Sequence, residues 1–181
     1  ADTANDVKEN FVVTVDKKGI LKSVGEGEAT ITVSYEGNYK YTSSEATVTV
    51  KVYKIVTSID LHSDDYLNLF VGEEDTIVAE LNPPKVGRIT YTSSDDSVVT
   101  VDSNGNLAAV GEGEANITLS FRGNSRCVAA DNVTIKVSVS KIDTSINVYE
   151  DSFNLYVGDE DSIDAELIPN EAGDIIFTSS D

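Results

Sequence analysis

Val24-Gly-Glu-Gly-Glu-Ala-Thr-Ile31 returns as Val110-Gly-Glu-Gly-Glu-Ala-Asn-Ile117, 86 residues further on. Two other pairs keep the same interval: Leu69-Phe-Val-Gly-Glu-Glu-Asp-Thr-Ile77 with Leu155-Tyr-Val-Gly-Asp-Glu-Asp-Ser-Ile163, and Tyr91-Thr-Ser-Ser-Asp95 with Phe177-Thr-Ser-Ser-Asp181. Self-similarity at a fixed interval marks an array of equivalent units. A unit this long exceeds a solenoid repeat and suits a bead with its own core. The interval slips twice on this reading. Val48, Val50 and Val52 align with Val133, Ile135 and Val137 at 85, and Ser58-Ile59 aligns with Ser145-Ile146 at 87. Both slips are expected in loops, where insertions cost least.

Within a unit, Val, Ile and Thr recur in short runs that alternate with period two and are bounded by Gly, Asn, Asp and Ser, the pattern of half-buried strands. No window of ten or more residues places apolar groups at helical spacing, so an all-β fold follows. From Lys54 to Ser140 the alternation predicts strands near 57–62, 66–71, 75–82, 88–93, 98–102, 106–110, 114–122 and 132–140. The inward set is Ile59, Leu61, Leu67, Leu69, Val71, Ile77, Ala79, Leu81, Ile89, Tyr91, Val99, Val101, Ile117, Leu119, Phe121, Val133, Ile135, Val137 and Val139. The expected organisation is one complete module over 54–140, the later strands of another over 1–53 and the earlier strands of a third over 141–181.

The 181 residues carry 32 acids against 13 lysines and arginines, a formal charge of −19. That balance repels nucleic acid and anionic lipid. A single cysteine cannot form an internal disulfide, and there is neither a signal-peptide core nor an 18-residue apolar stretch, so direct membrane insertion in this segment is not expected.

Leu69-Phe-Val-Gly72, Thr92-Ser-Ser-Asp95, Val101-Asp102, Gly105 and Val110-Gly-Glu-Gly-Glu-Ala-Asn-Ile117 together resemble the bacterial Ig-like domain, group 2, of invasin- and intimin-like adhesins and archaeal adhesin-like proteins. The resemblance implies tandem immunoglobulin-like β-sandwiches in an extracellular, stalk-forming or adhesive protein. It departs from antibody domains in lacking paired cysteines and a core tryptophan.

The repeat also serves as a control on candidate sites, since a residue type kept in both copies is expected to be scaffold. Gly25/Gly27 and Gly111/Gly113 could cradle phosphate, but an alternating strand and not a helix follows each pair, so turn glycines with positive φ are the better reading. Gly72 and Gly105 read as turn glycines too. Asp102-Ser-Asn-Gly-Asn106 resembles part of a calcium loop. Its copy, Asp16-Lys-Lys-Gly-Ile20, puts lysines at ligand positions and favours a hairpin turn. The remaining Ca²⁺ candidates are Asp64, Asp65, Glu73, Glu74 and Asp75, with solvated turns as the competing reading. His62 stands opposite Tyr149 and has no partner for a triad or metal cluster; an exposed strand residue is expected. Cys127 stands opposite Tyr41 and reads as a loop or edge thiol. Asn116-Ile-Thr and Asn132-Val-Thr are N-glycosylation sequons that alternation turns outward.

No catalytic residue or cofactor is expected. The leading expectation is a non-catalytic structural and adhesive repeat module at the cell surface, its partners being neighbouring modules and a cell-surface or polysaccharide receptor. Half modules pairing head to tail between chains is a further possibility. The alternative is an accessory or carbohydrate-binding module of a secreted carbohydrate-active enzyme, to which Tyr35, Tyr39, Tyr41 and Tyr53 would contribute.

Overall fold

The computed structural model describes residues 11–180. Its elements are strands apart from one turn of 3-10 helix, Asn170–Ala172. In chain order they are β1 (Val13–Val15), β2 (Leu21–Ser23), β3 (Gly27–Tyr35), β4 (Ser44–Val52), β5 (Ser58–Leu61), β6 (Tyr66–Phe70), β7 (Glu74–Thr76), β8 (Ala79–Asn82), β9 (Thr90–Ser93), β10 (Val99–Val101), β11 (Asn106–Ala109), β12 (Gly113–Phe121), β13 (Ala130–Ser140), β14 (Ser145–Val148) and β15 (Ala165–Ile168).

The strands β5 to β13 form one sandwich. Its larger sheet has the order β6-β13-β12-β9, with β6 parallel to β13 and the other pairs antiparallel. Facing it are a three-stranded sheet, β10-β11-β7, and the β5-β8 pair. A continuous buried cluster runs from Ile59 to Val139 and takes residues from every one of these strands except β7 and β9, with Tyr91 of β9 packed at its margin. The long strands explain themselves: in β12, Ala115, Ile117, Leu119 and Phe121 are buried, while Glu114 and Asn116 between them are exposed. Each fully buried Leu or Ile contributes about 1.5–3 kcal/mol relative to exposure.

Four details differ from the pattern read along the chain. The expected strand 75–82 is two strands. β7 pairs with β11, and β8 pairs with β5 in a separate two-stranded sheet. The chain passes from one sheet to the next at Ile77 and Val78, where the Ile77 N–H donates to Gly105 O and Val78 O accepts from His62 N–H, each at 2.8 Å. Ile77, Ala79 and Leu81 all still point inward, so alternation runs unbroken through a change of partner. Val71, expected inside, is 40% exposed, because it lies in the turn beyond β6. In the central module six buried hydrophobic residues escaped the alternation: Val98, Leu107, Ala109, Ala115, Cys127 and Ala130. Val98 and Val99 are adjacent and both buried, which no period-two pattern permits.

The slips of the repeat also change. β3 pairs Ile31 with Val48, and β12 pairs Ile117 with Ile135. Val48 therefore corresponds to Ile135, at 87 and not 85. The extra residue sits in a bulge on β13: Leu119 faces Val133 and Phe121 faces Ala130, so Ser120 stands opposite Asp131 and Asn132. In the first copy Ser34 faces Glu45 alone. The insertion lies within a strand, and a bulge absorbs it while leaving the core register on either side intact.

Candidate functional site

The acids kept in both copies hold their own turns. The Glu73 carboxylate accepts from Phe70 N–H at 2.7 Å, and Asp159, 86 residues on, accepts from Tyr156 N–H at 2.9 Å. Asp75 accepts from Thr76 N–H and Asp161 from Ser162 N–H. Asp102 Oδ1 accepts from the N–H groups of Asn104 and Asn106 at 2.8 and 2.9 Å, and Gly105 between them has φ 87°. Asp16 repeats this on Lys18 and Ile20, both at 2.8 Å, with Gly19 at φ 80°. The turn needs an acceptor at its first position and a glycine at its fourth, whatever lies between. The backbone bond from Asn106, then that residue's side-chain bond, hold the Asp102 carboxyl below the usual range, as Ser97 does for Asp95. Burial, with a smaller push from Asp102, raises the Tyr91 hydroxyl.

Of the other calcium candidates, Asp65 contributes its backbone carbonyl to Lys136 N–H, Asp64 is exposed and Glu74 lies on β7. Among the described residues no three His, Cys, Asp or Glu side chains group where they could hold a metal ion.

His62 is exposed and its Nε2 stands 3.3 Å from Glu80 Oε1. At the equivalent place Tyr149 donates its hydroxyl to Glu166 Oε2 at 2.6 Å. The two residue types are alternatives for one cross-strand pair, a relation visible only when β5-β8 is laid over β14-β15. Cys127 is not an edge thiol. It is buried in the core cluster and bridges in parallel to Ile55. Ile55 N–H donates to Arg126 O and Ile55 O accepts from Val128 N–H, while the buried Thr57 hydroxyl donates to Val128 O at 2.8 Å. These bonds stitch the segment entering the sandwich to the β12-β13 loop. Asn116 and Asn132 are both exposed. Tyr39 is fully exposed, the Tyr35 hydroxyl accepts from Asn38 Nδ2, and Lys40 lies over the Tyr41 ring.

The glycine pairs divide by mechanism. Gly27 and Gly113 have φ 143° and 148°, and a Cβ on either would lie 2.9 Å from a valine methyl, of Val12 or Val98. Gly25 and Gly111 have no positive φ, contrary to the turn-glycine expectation. Close approach explains them instead: a Cβ at Gly111 would lie 2.7 Å from Ser97 O, and one at Gly25 3.3 Å from Phe11 O.

Residues 55–124, which supply most of this sandwich and its Gly105 and Gly111/Gly113 turns, match the family model of the bacterial Ig-like domain (group 2). The central segment is a bacterial Ig-like domain of group 2. Two uncharacterised proteins of Clostridium acetobutylicum are similar to the chain. One is 30% identical over 158 residues, covering 79% of this chain and 16% of that protein; the other is 34% identical over 92 residues, covering 50% and 21%. The chain thus spans about a fifth or less of the length of the curated relatives it matches. Among solved structures, domains 4 and 5 of the S-layer protein SbsC are similar at 20% identity, with a TM-score of 0.40 over 71% of this chain and 65% of that one. A structure of SbsC domains 1–6 gives 19% identity and a TM-score of 0.42 over 75% and 20%.

Outside the Ig-like domain the same positions stand open. Leu119 and Ile135 are fully buried, while their counterparts Val33 and Val48 are 59% and 50% exposed. Ile77 is 2% exposed and its counterpart Ile163 52%. On the side of residues 145–180, Ile146, Val148, Phe153, Ile163, Ile175 and Phe177 line an open trough of about 520 Å³. This apolar trough is made of core positions of the repeat, not of a polar cleft for chemistry.

Proposed function

We propose that the chain is a non-catalytic structural segment of a cell-surface protein, in which Ig-like modules in series set length and spacing for a stalk or fibre that presents an adhesive contact. One observation carries this reading: the polar residues shared between copies (Asp16/Asp102, Glu73/Asp159, Asp75/Asp161) bond the backbone of their own turns. They serve the scaffold, and among the described residues no three His, Cys, Asp or Glu side chains converge on a centre. The linkage through Ile55, Thr57 and Val128 supports it further, since a stalk needs modules that do not swing freely on their linkers. Antibodies raised against residues 54–140 should label intact cells of the source organism, and protease added outside should remove the signal. Labelling that requires lysis would exclude the surface reading. Turnover of a glycoside, ester or peptide substrate, abolished by one Asp, Glu or Ser substitution, would exclude the non-catalytic one.

A further inference from the structure

The arginines of the chain, Arg88, Arg122 and Arg126, gather with Lys85 on two loops of the central sandwich, residues 83–89 and 122–129. Asn124 Nδ2 ties these loops together by donating to Val86 O at 2.8 Å, and a Cβ on Gly87 would run into the Phe121 ring. β9 and β12 pair as far as Thr90 with Ser120; the same register continued by two residues sets Arg88 opposite Arg122. Like charges so placed destabilise a strand pair. Lys85, Arg88 and Arg122 are all exposed, and among the described residues none of them has a carboxylate partner. Arg126 stands apart, its carbonyl taken by the Ile55 N–H where the chain enters the sandwich. In the other copies the charge is reversed: Glu171 and Asp174 stand where Lys85 and Arg88 do, and Glu36 where Arg122 does. The shared scaffold therefore does not require these cations.

Lys85 and Arg88 line a cleft of about 390 Å³ between β8 and β9, within the usual range for ligand sites of about 300–1,000 Å³. We propose that this cleft binds a uronic-acid polysaccharide. Its lining holds two cations and one carboxylate, Glu80, a net charge of +1 that matches the single charge of a uronate. A doubly charged phosphate monoester would be left half compensated. The guanidinium of Arg88 suits a carboxylate, which it can hold through two parallel hydrogen bonds. Pro84, Ile89 and the half-buried Tyr91 offer apolar ground for the C–H face of a sugar ring, and a polymer leaving the cleft across β9 and β12 passes Arg122. Lys85 is held at φ 63°, a left-handed conformation that residues with a side chain seldom occupy and that gathers at ligand sites. The overall charge of −19 does not forbid the ligand, because at 0.15 M salt screening acts over about 8 Å and the nearest cations outweigh distant acids. The inference gives the adhesive contact proposed above a ligand class. It is tested on the purified chain and stands or falls separately from the labelling of cells.

Calorimetric titration of the full 181-residue chain with polygalacturonate, neutral dextran and poly-L-glutamate provides the test. Polygalacturonate should bind, with an affinity that falls as salt is raised, and should shift the amide resonances of 84–91 and 103–104. Dextran should not bind, and poly-L-glutamate, which has the carboxylates without the ring faces, should bind more weakly. The double variant Lys85→Glu/Arg88→Asp, which installs the residue types of the third copy, should lose at least about tenfold in affinity for polygalacturonate, the loss expected for charge-assisted hydrogen bonds. Melting of the central module is the folding control, and Arg88→Gln replaces the double variant if charge reversal unfolds it. Absence of polygalacturonate binding overturns the proposal, as does an affinity that the folded variant leaves unchanged. Poly-L-glutamate binding as tightly as polygalacturonate also overturns it, by making the surface one for acidic peptides.

Discussion

Gly105 meets two constraints at once. Its φ of 87° is left-handed, and a Cβ there would lie 2.9 Å from Ile77 O and 3.2 Å from the Tyr91 ring. The backbone conformation alone costs a non-glycine residue about 1–2 kcal/mol, and a Cβ this close to a backbone carbonyl would force the chain around it to shift. Gly105→Ala should lower the stability of the central module by at least that amount in chemical denaturation. Gly19 has a similar φ, 80°, with nothing within 4 Å of a Cβ, so Gly19→Ala meets the backbone strain alone. Asp102 supports a pH prediction. Its folded pKa is lowered from 3.8, chiefly by the Asn106 N–H; the stabilisation is therefore present above 3.8 and disappears as pH falls through the lower folded value. The melting difference between wild type and Asp102→Ala should be largest at neutral pH and shrink steadily on acidification below about pH 4. A difference independent of pH would show that the carboxylate does not act as an acceptor in its ionised form.

At the scale of a strand, the β13 bulge separates two kinds of deletion. Removing Asp131 leaves one residue opposite Ser120, the register that β3 and β4 already adopt, so the module should stay folded with its cooperative melting retained. Removing Lys136 shifts Val137 and Val139 to the solvent face, and both are buried. That deletion should abolish cooperative unfolding, as measured by near-ultraviolet circular dichroism or calorimetry. The change of sheet at Ile77 makes the complementary point, because the chain can change hydrogen-bonding partners without altering which side chains face inward.

For the whole molecule, equivalent positions differ in energetic weight according to what covers them. Leu119→Ala should destabilise the central module by about 2–5 kcal/mol, the usual range for a buried leucine. Val33→Ala, at the matching place on β3, should stay within about 0.5 kcal/mol. Under limited proteolysis of the 181-residue chain, cleavage should begin in 150–164 and 36–43 and reach 58–140 last, since local opening is easiest where little apolar surface is buried. Simultaneous loss of all three regions would contradict the burial pattern.

The all-β class, the 86-residue unit, the family and the inward face of the long strands were legible in the chain, because alternation and recurrence are local properties that a pleated backbone translates directly into faces. The Asp-to-glycine turns were legible for the same reason: the side chain bonds backbone two and four residues away. What tertiary structure alone decided was long-range. Whether Ile77 leaves one sheet for another, why Gly111 has no room for a Cβ, that Cys127 is sealed against Ile55, and that Val48 matches Ile135 and not Val133 all depend on which strand lies alongside. The flanks state the reason most directly. Residues 152–156 share the central Asn-Leu and the apolar positions of β6 yet form no strand, since a strand's hydrogen bonds belong to a pair and the sequence of one member specifies only half of it.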